Sequence, residues 1–211
     1  MSDIVTIGNC SFDAIALTVD DYPPPGGMRF FDKLAVTTGG NAVNCSIALA
    51  RMGLASEVVI KVGCDMTGDF IISELQRHKV GTAGVIRSPD SHTPFTFVCV
   101  LSNGQRSFFH TMGHNATLCL DDIDLRLVRQ ARYCFVTGTM VLPTFDGRQT
   151  AELLKVAKQA GAETLLDTIY LDRAPRDVWQ ANLEPALPVL DYFIPSQPVS
   201  YTHLTLPTKR I

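Results

Sequence analysis

Four short apolar runs punctuate the chain, at 3–8, 58–63, 133–137 and 164–167. Stretches with helical spacing fall between or after them, at about 40–52, 68–78, 122–131, 146–160 and 176–183. Runs this short, rich in Val and Ile, are the kind buried on both faces of a sheet. Strands alternating with helices predict an α/β fold, a largely parallel sheet flanked by helices. Asp191-Tyr192-Phe193-Ile194 supplies a further strand.

Two β-rich stretches, about 10–37 and 94–111, interrupt that rhythm. In the second, Phe95, Phe97, Cys99 and Leu101 alternate, Ser102-Asn103-Gly104-Gln105 turn, and 106–111 return. Asn-Gly between alternating runs is a strong hairpin signal. In the first, Tyr22-Pro23-Pro24-Pro25-Gly26-Gly27 excludes regular structure and 28–37 reads as a strand. Together they predict a small second sheet standing off the main one.

Composition narrows the functional classes. A chain of 211 residues buries roughly 70% of its unfolded surface, enough for a sizeable core. The net charge of −3 offers no basic surplus for nucleic acid or an anionic membrane. No apolar run approaches the ~18 residues of a membrane span, and the N-terminus lacks the basic and apolar regions of a signal peptide. The six cysteines form no C-x-x-C pair and the five histidines do not cluster with them. They read as reduced thiols of a cytoplasmic protein, with no metal site. Asn44-Cys45-Ser46 and Asn115-Ala116-Thr117 match the glycosylation pattern by chance on that reading.

The chemistry concentrates in Gly39-Gly40-Asn41-Ala42-Val43-Asn44, followed by Gly53 and Gly63. Two glycines where a strand meets a helix let backbone approach a ligand and leave the first helical N–H groups free. Asn44, a turn into the helix, offers an amide donor and an amide acceptor, which suits hydroxyls. By itself such a Gly-Gly is an ordinary tight turn. The whole spacing, however, resembles the first signature of the ribokinase/PfkB carbohydrate kinases. Gly8 to Asp13, Gly63-Cys64-Asp65-Met66-Thr67-Gly68, Gly113-His114-Asn115-Ala116-Thr117-Leu118 and Pro195-Ser196-Gln197 resemble further segments of the same family. The resemblance runs from Gly8 to about Gln197.

That resemblance implies a ribokinase-like fold with a β lid made by 10–37 and 94–111. It implies a protein that phosphorylates a sugar hydroxyl with ATP and Mg2+. Ser11, Asp13, Gly39, Gly40, Asn44 and Thr139 fall at substrate-binding positions, and Phe95 and Phe97 on the lid. Thr139 stands where ribokinases carry a glutamate, which puts ribose itself in doubt. Asn115 reads as structural, Asp65 and Asp69 as turn and helix-start residues, and His110 and His114 as satisfied loop residues. A homodimer through the lid is an implied partner. A nucleoside kinase of the same superfamily, or a non-catalytic sugar-binding module, are the alternatives.

The family's catalytic G-A-G-D is nowhere in the sequence, so no catalytic residue is expected here and the ATP residues would lie downstream. The P-N-x-x-E segment is cut, with Ser196 at its Asn position and Val199 at its Glu position. Residues 1–198 are therefore expected to form the N-terminal part of one ribokinase-like domain whose C-terminal part is missing. Residues 199–211 resemble translated adapter or vector sequence. The chain alone is expected to be inactive.

Overall fold

The computed structural model describes residues 2–169, 171 and 174–195. The expectations on Ser196, Gln197, Val199 and 199–211 lie outside the described residues. The strands and helices are β1 (Ile4–Gly8), β2 (Ser11–Leu17), β3 (Lys33–Gly39), α1 (Asn41–Arg51), β4 (Ser56–Gly63), α2 (Met66–Arg77), β5 (Gly81–Ser88), β6 (Phe95–Val100), β7 (Arg106–Thr111), α3 (Leu125–Arg129), β8 (Tyr133–Thr139), α4 (Arg148–Gln159), β9 (Glu163–Thr168), α5 (Arg176–Leu183) and β10 (Tyr192–Phe193).

Six of the strands form a sheet in the order β10-β9-β8-β1-β4-β5, and every pairing in it is parallel. One face packs Val5, Ile7, Val136 and Leu166 against Leu153 and Leu154 of α4 and Trp179 of α5. The other packs Val58, Ile60 and Val62 against Ala42 and Val43 of α1 and Ile71 and Leu75 of α2. Fully burying a Leu or Ile contributes roughly 1.5–3 kcal/mol, so these two layers are the main source of stability. The second sheet has the order β3-β2-β6-β7 and is mixed, with β2 and β6 parallel and the other two pairs antiparallel.

The structure redraws some boundaries. The first strand does stop at Gly8 and Asp13 does fall in the small sheet, within β2, but other limits move. A Cβ on Gly8 would lie 2.0 Å from the Thr137 carbonyl oxygen, so β1 and β8 meet there only because no side chain intervenes. The strand expected at 28–37 begins at Lys33, and the helix expected at 122–131 shrinks to α3, which Asp124 caps through the Arg126 N–H. β5 was unforeseen because Gly81 and Gly84 depress strand propensity. A Cβ on Gly84 would stand 2.6 Å from the Val58 carbonyl oxygen, where the β4–β5 register shifts.

Asp65 ties the two sheets together. As the cap of α2 it accepts from the Gly68 N–H at 2.8 Å, and it also accepts from the Thr93 N–H at 2.8 Å and the Thr93 hydroxyl at 2.7 Å. Thr93 leads into β6 and itself accepts from the Gly63 N–H. Burial opposes ionisation of Asp65, but the backbone and hydroxyl donors outweigh it and hold the carboxyl below its ordinary range. A depressed native value means that this stabilisation is present above the free carboxyl's range and lost as pH falls through it. Asp65→Asn should therefore lower the urea midpoint at pH 6, and the gap from wild type should shrink steadily below pH 4. A gap that does not change with pH would remove charge from the account.

Candidate functional site

From β1 the chain winds outward to β4 and β5 on one side, then to β8, β9 and β10 on the other. β1 and β8 therefore flank the point where the winding reverses, and parallel sheets leave a crevice there at the strands' C-terminal ends. The N-terminus of α1 sits over it. Gly40 has φ +85°, and a Cβ on it would lie 2.4 Å from Cys10 Cα. Only glycine permits that contact. Asn9 fastens the turn: its side-chain oxygen accepts from the Asn41 N–H at 3.1 Å and its carbonyl from the Ala42 N–H at 3.2 Å. Asn115 holds the adjacent residue, accepting from the Cys10 N–H at 3.1 Å and donating to the Cys10 carbonyl at 2.9 Å. It has the structural place expected of it.

Ser11 and Asp13 come together with Gly39. The Ser11 hydroxyl donates to Asp13 Oδ1 at 2.6 Å, and a Cβ on Gly39 would fall 2.2 Å from Asp13 Oδ2. The bare glycine backbone makes room for that carboxylate. Asn44 is exposed, a turn further along α1, beside Thr37 and Thr38. Thr139 is fully buried, opposite Thr168 at the end of β8, and its hydroxyl has no partner among the described residues. Phe95 and Phe97 lie on the opposite face of the small sheet from Asp13, because register pairs Asp13 with Thr96 between them. Phe95 stacks on Phe12 with ring centroids 5.7 Å apart, and Phe97 meets Phe31.

The face that Asp13 does present carries a polar row across all four strands: Thr37, Asp13, Thr96, His110. The Thr96 hydroxyl and His110 Nδ1 are 3.0 Å apart. Burial lowers the His110 pKa and the nearby Asp13 charge partly offsets this. His110, expected as a satisfied loop residue, lies in β7, and only the cross-strand register reveals its place. Asn9, Asn41 and Asp167 were not expected at the site. Asp167 ends β9's apolar run and accepts from Asn41 Nδ2 at 2.9 Å and the Thr137 hydroxyl at 2.7 Å. A carboxylate at the C-terminal end of a predicted parallel strand was an available signal.

These residues can bind and orient hydroxyls. Among the described residues no three His, Cys, Asp or Glu side chains are grouped to hold a cation.

The family profile for the pfkB family carbohydrate kinases matches residues 1–198. The chain belongs to that family. It is 24% identical over 197 residues to a ribokinase of Staphylococcus aureus, covering 92% of this chain and 60% of that one. It is 25% identical over 171 residues to a 5-dehydro-2-deoxygluconokinase of Clostridium perfringens, covering 80% and 49%. Its fold is similar to the structure of Arabidopsis thaliana ribokinase complexed with ribose and ATP, with TM-score 0.74, 21% identity and coverage of 92% and 60%. This PfkB-family chain thus spans about half to three-fifths of the length of these relatives. Among the described residues no helix is long and apolar enough to cross a membrane.

Behind Thr139 the loop to α4 turns on a buried carboxylate. Asp146 Oδ2 accepts from the Met140 N–H at 3.0 Å and the Leu142 N–H at 3.1 Å, while Oδ1 is unpaired among the described residues. Met140 has φ +89°, and the first of these bonds holds it there. Burial pushes the Asp146 pKa up to about 7, against the pull of the two N–H donors. A native value above the unfolded one means that stability falls as pH rises from about 4 to about 7. Asp146→Asn keeps an oxygen for the two donors and removes the charge. The variant should match wild type at pH 4 and exceed it at pH 8, on the order of 1–3 kcal/mol in urea unfolding. Equal losses at both values would show that the side chain acts by shape alone.

Proposed function

We propose that the protein of which these residues form part transfers the γ-phosphoryl group of ATP to a hydroxyl of a sugar, and that this chain supplies the acceptor site. The observation that carries the reading is the Ser11–Asp13 pair set against Gly39 and Gly40 at the crevice between β1 and β8. Asp13 is the charged acceptor for sugar hydroxyls, Ser11 orients it, and Gly39 and Gly40 keep the approach open. Asn44 binds a further hydroxyl, and Thr139 lines the far end of β8. ATP and Mg2+ are the expected cofactors, held by residues beyond those described.

The small sheet is the lid in this reading. Its working face is the polar row of Thr37, Asp13, Thr96 and His110, and its closure excludes water from the transfer. Phe95 and Phe97 act from behind, as packing that stiffens the lid. A second copy could bury the lid's exposed Leu34 and Val36, which share the face of β3 away from Asp13, and this makes the lid the proposed dimer contact. All six cysteines are free thiols, which supports a cytoplasmic setting.

Hydrogen bonds to a charged group contribute about 1.5–3 kcal/mol each. Asp13→Ala should therefore weaken sugar binding at least about tenfold in calorimetric titration, with an unchanged melting temperature. Unchanged affinity for every sugar that binds would remove Asp13 from the site. The 211-residue chain should bind sugar and release no sugar-dependent ADP. Joining residues 1–198 to the native continuation should restore turnover, and turnover by the chain alone would show the catalytic site to be misplaced.

A further inference from the structure

A groove of about 280 Å³ runs along the outer side of α1 to the last turn of α2. Thr37, Thr38 and Asn44 line its upper end, and Arg51, Glu74, Arg77 and His78 its lower end. Asn44 and Arg51 are two helical turns apart, roughly 10 Å along the axis. The lower end is crowded with donors. Arg51 Nε lies 3.4 Å from His78 Nδ1 and Arg51 Nη2 3.2 Å from His78 Nε2, while Arg77 Nη2 lies 2.9 Å from the same Nε2. A neutral imidazole has one bare nitrogen and cannot accept from all three.

Glu74 does not relieve the excess. It is committed to Arg77, accepting from both Nε and Nη2. Arg51 has no carboxylate partner among the described residues. Nor are the helix ends consuming these cations. The last carbonyls of α1 accept from the N–H groups of Met52, Gly53 and Leu54, and those of α2 from His78, Lys79 and Val80. Desolvation, then Arg77 and Arg51, lower the His78 pKa, and the Glu74 carboxylate offsets this in part, so the two guanidinium groups outweigh one counter-charge.

We propose that this groove binds a phosphate-type dianion, either free or carried on a sugar. The guanidinium fork of Arg51 would grip its oxygens, since planar bidentate donation suits phosphate, while Arg77, whose Nε and Nη2 stay on Glu74, would add positive charge beside it. His78, relieved of its neighbours' repulsion by the anion, would protonate and become a further donor. Thr38 and Asn44 give hydroxyl and amide partners to whatever the phosphate is attached to. The inference rests on the donors and charges of the groove's lower end; Thr37 and Asn44 at its upper end also belong to the proposed acceptor site, and Arg51→Ala tests the groove without touching either.

The test is calorimetric titration of the 211-residue chain with inorganic phosphate, fructose 6-phosphate and fructose at constant ionic strength in sodium chloride. Arg51→Ala and His78→Gln probe the groove. Arg126→Ala, which breaks the exposed pair with Asp124 on α3, controls for loss of a surface charge. At least one phosphate probe should bind saturably at one site. Affinity should fall about tenfold or more in Arg51→Ala and be unchanged in Arg126→Ala. The His78 imidazole signals in proton NMR should shift on phosphate addition. Binding of inorganic phosphate alone would mark a site for the free anion. Binding of fructose 6-phosphate well above both phosphate and fructose would make the anion part of a larger ligand. Either result supports the site. Saturable binding of neither probe, equal losses in Arg51→Ala and Arg126→Ala, or a silent His78 would overturn it. The arginines would then serve only the two helix C-termini.

Discussion

The approach of α1 to the connection between β1 and β2 governs this molecule. Gly40 lies against Cys10 with no space for a Cβ, and Gly39 lies as close to Asp13. A side chain at either position would push the helix off the sheet edge or the carboxylate out of the crevice. That single contact sets the height of the first helical turn, the entry angle of β3 and the place of Asp13. Asn9 and Asn115 then fix the connecting backbone with side-chain amides, which leaves the polar groups of Cys10 satisfied although the residue is fully buried. Without those partners, buried backbone donors would each cost about as much as a lost hydrogen bond.

The small sheet divides its work between faces. Strand geometry sends successive residues to opposite sides. In β6 this puts Phe95, Phe97 and Cys99 on one side and Thr96 and Val98 on the other. The phenylalanines pack towards Phe12 and Phe31, and Phe12 in turn meets Phe70 of α2. The sheet is thus anchored to the main body through its aromatic face, which frees the Asp13 face for a ligand. A one-residue slip of β6 would exchange the two sets, burying Thr96 among aromatics and setting Phe95 beside Asp13.

Much of this was legible in the sequence, and the boundary between what was and was not is physical. The apolar runs at 58–63 and 133–137 and the helix ending before Gly53 announce themselves because burial and capping are local demands on residue type. Ser11, Asp13, Gly39 and Gly40 stand out in the sequence because the family's spacing marks them, and the structure brings them together. His110 and Asp167 do not stand out, since each gains its meaning from a partner far along the chain: Thr96 across a hairpin for one, Asn41 on α1 for the other. The orientation of Phe95 and Phe97 was hidden for a related reason. Alternation shows that they share a face but not which face, and only the pairing of β6 with β2 decides it.

The carboxylates near the crevice also show how placement fixes chemistry. Asp167 receives an amide and a hydroxyl, and Asp13 a hydroxyl, all from side chains that can reorient towards a ligand. Asp146 receives only backbone N–H groups and sits deep enough for burial to dominate, so its charge is expensive. The first two are therefore suited to exchange their partners for the hydroxyls of a ligand, while the third is committed to shaping the loop behind Thr139. What separates them is the mobility of their donors. A carboxylate held by rotatable side chains can hand over its hydrogen bonds at little cost. One held by a fixed backbone turn cannot do so without unmaking the turn.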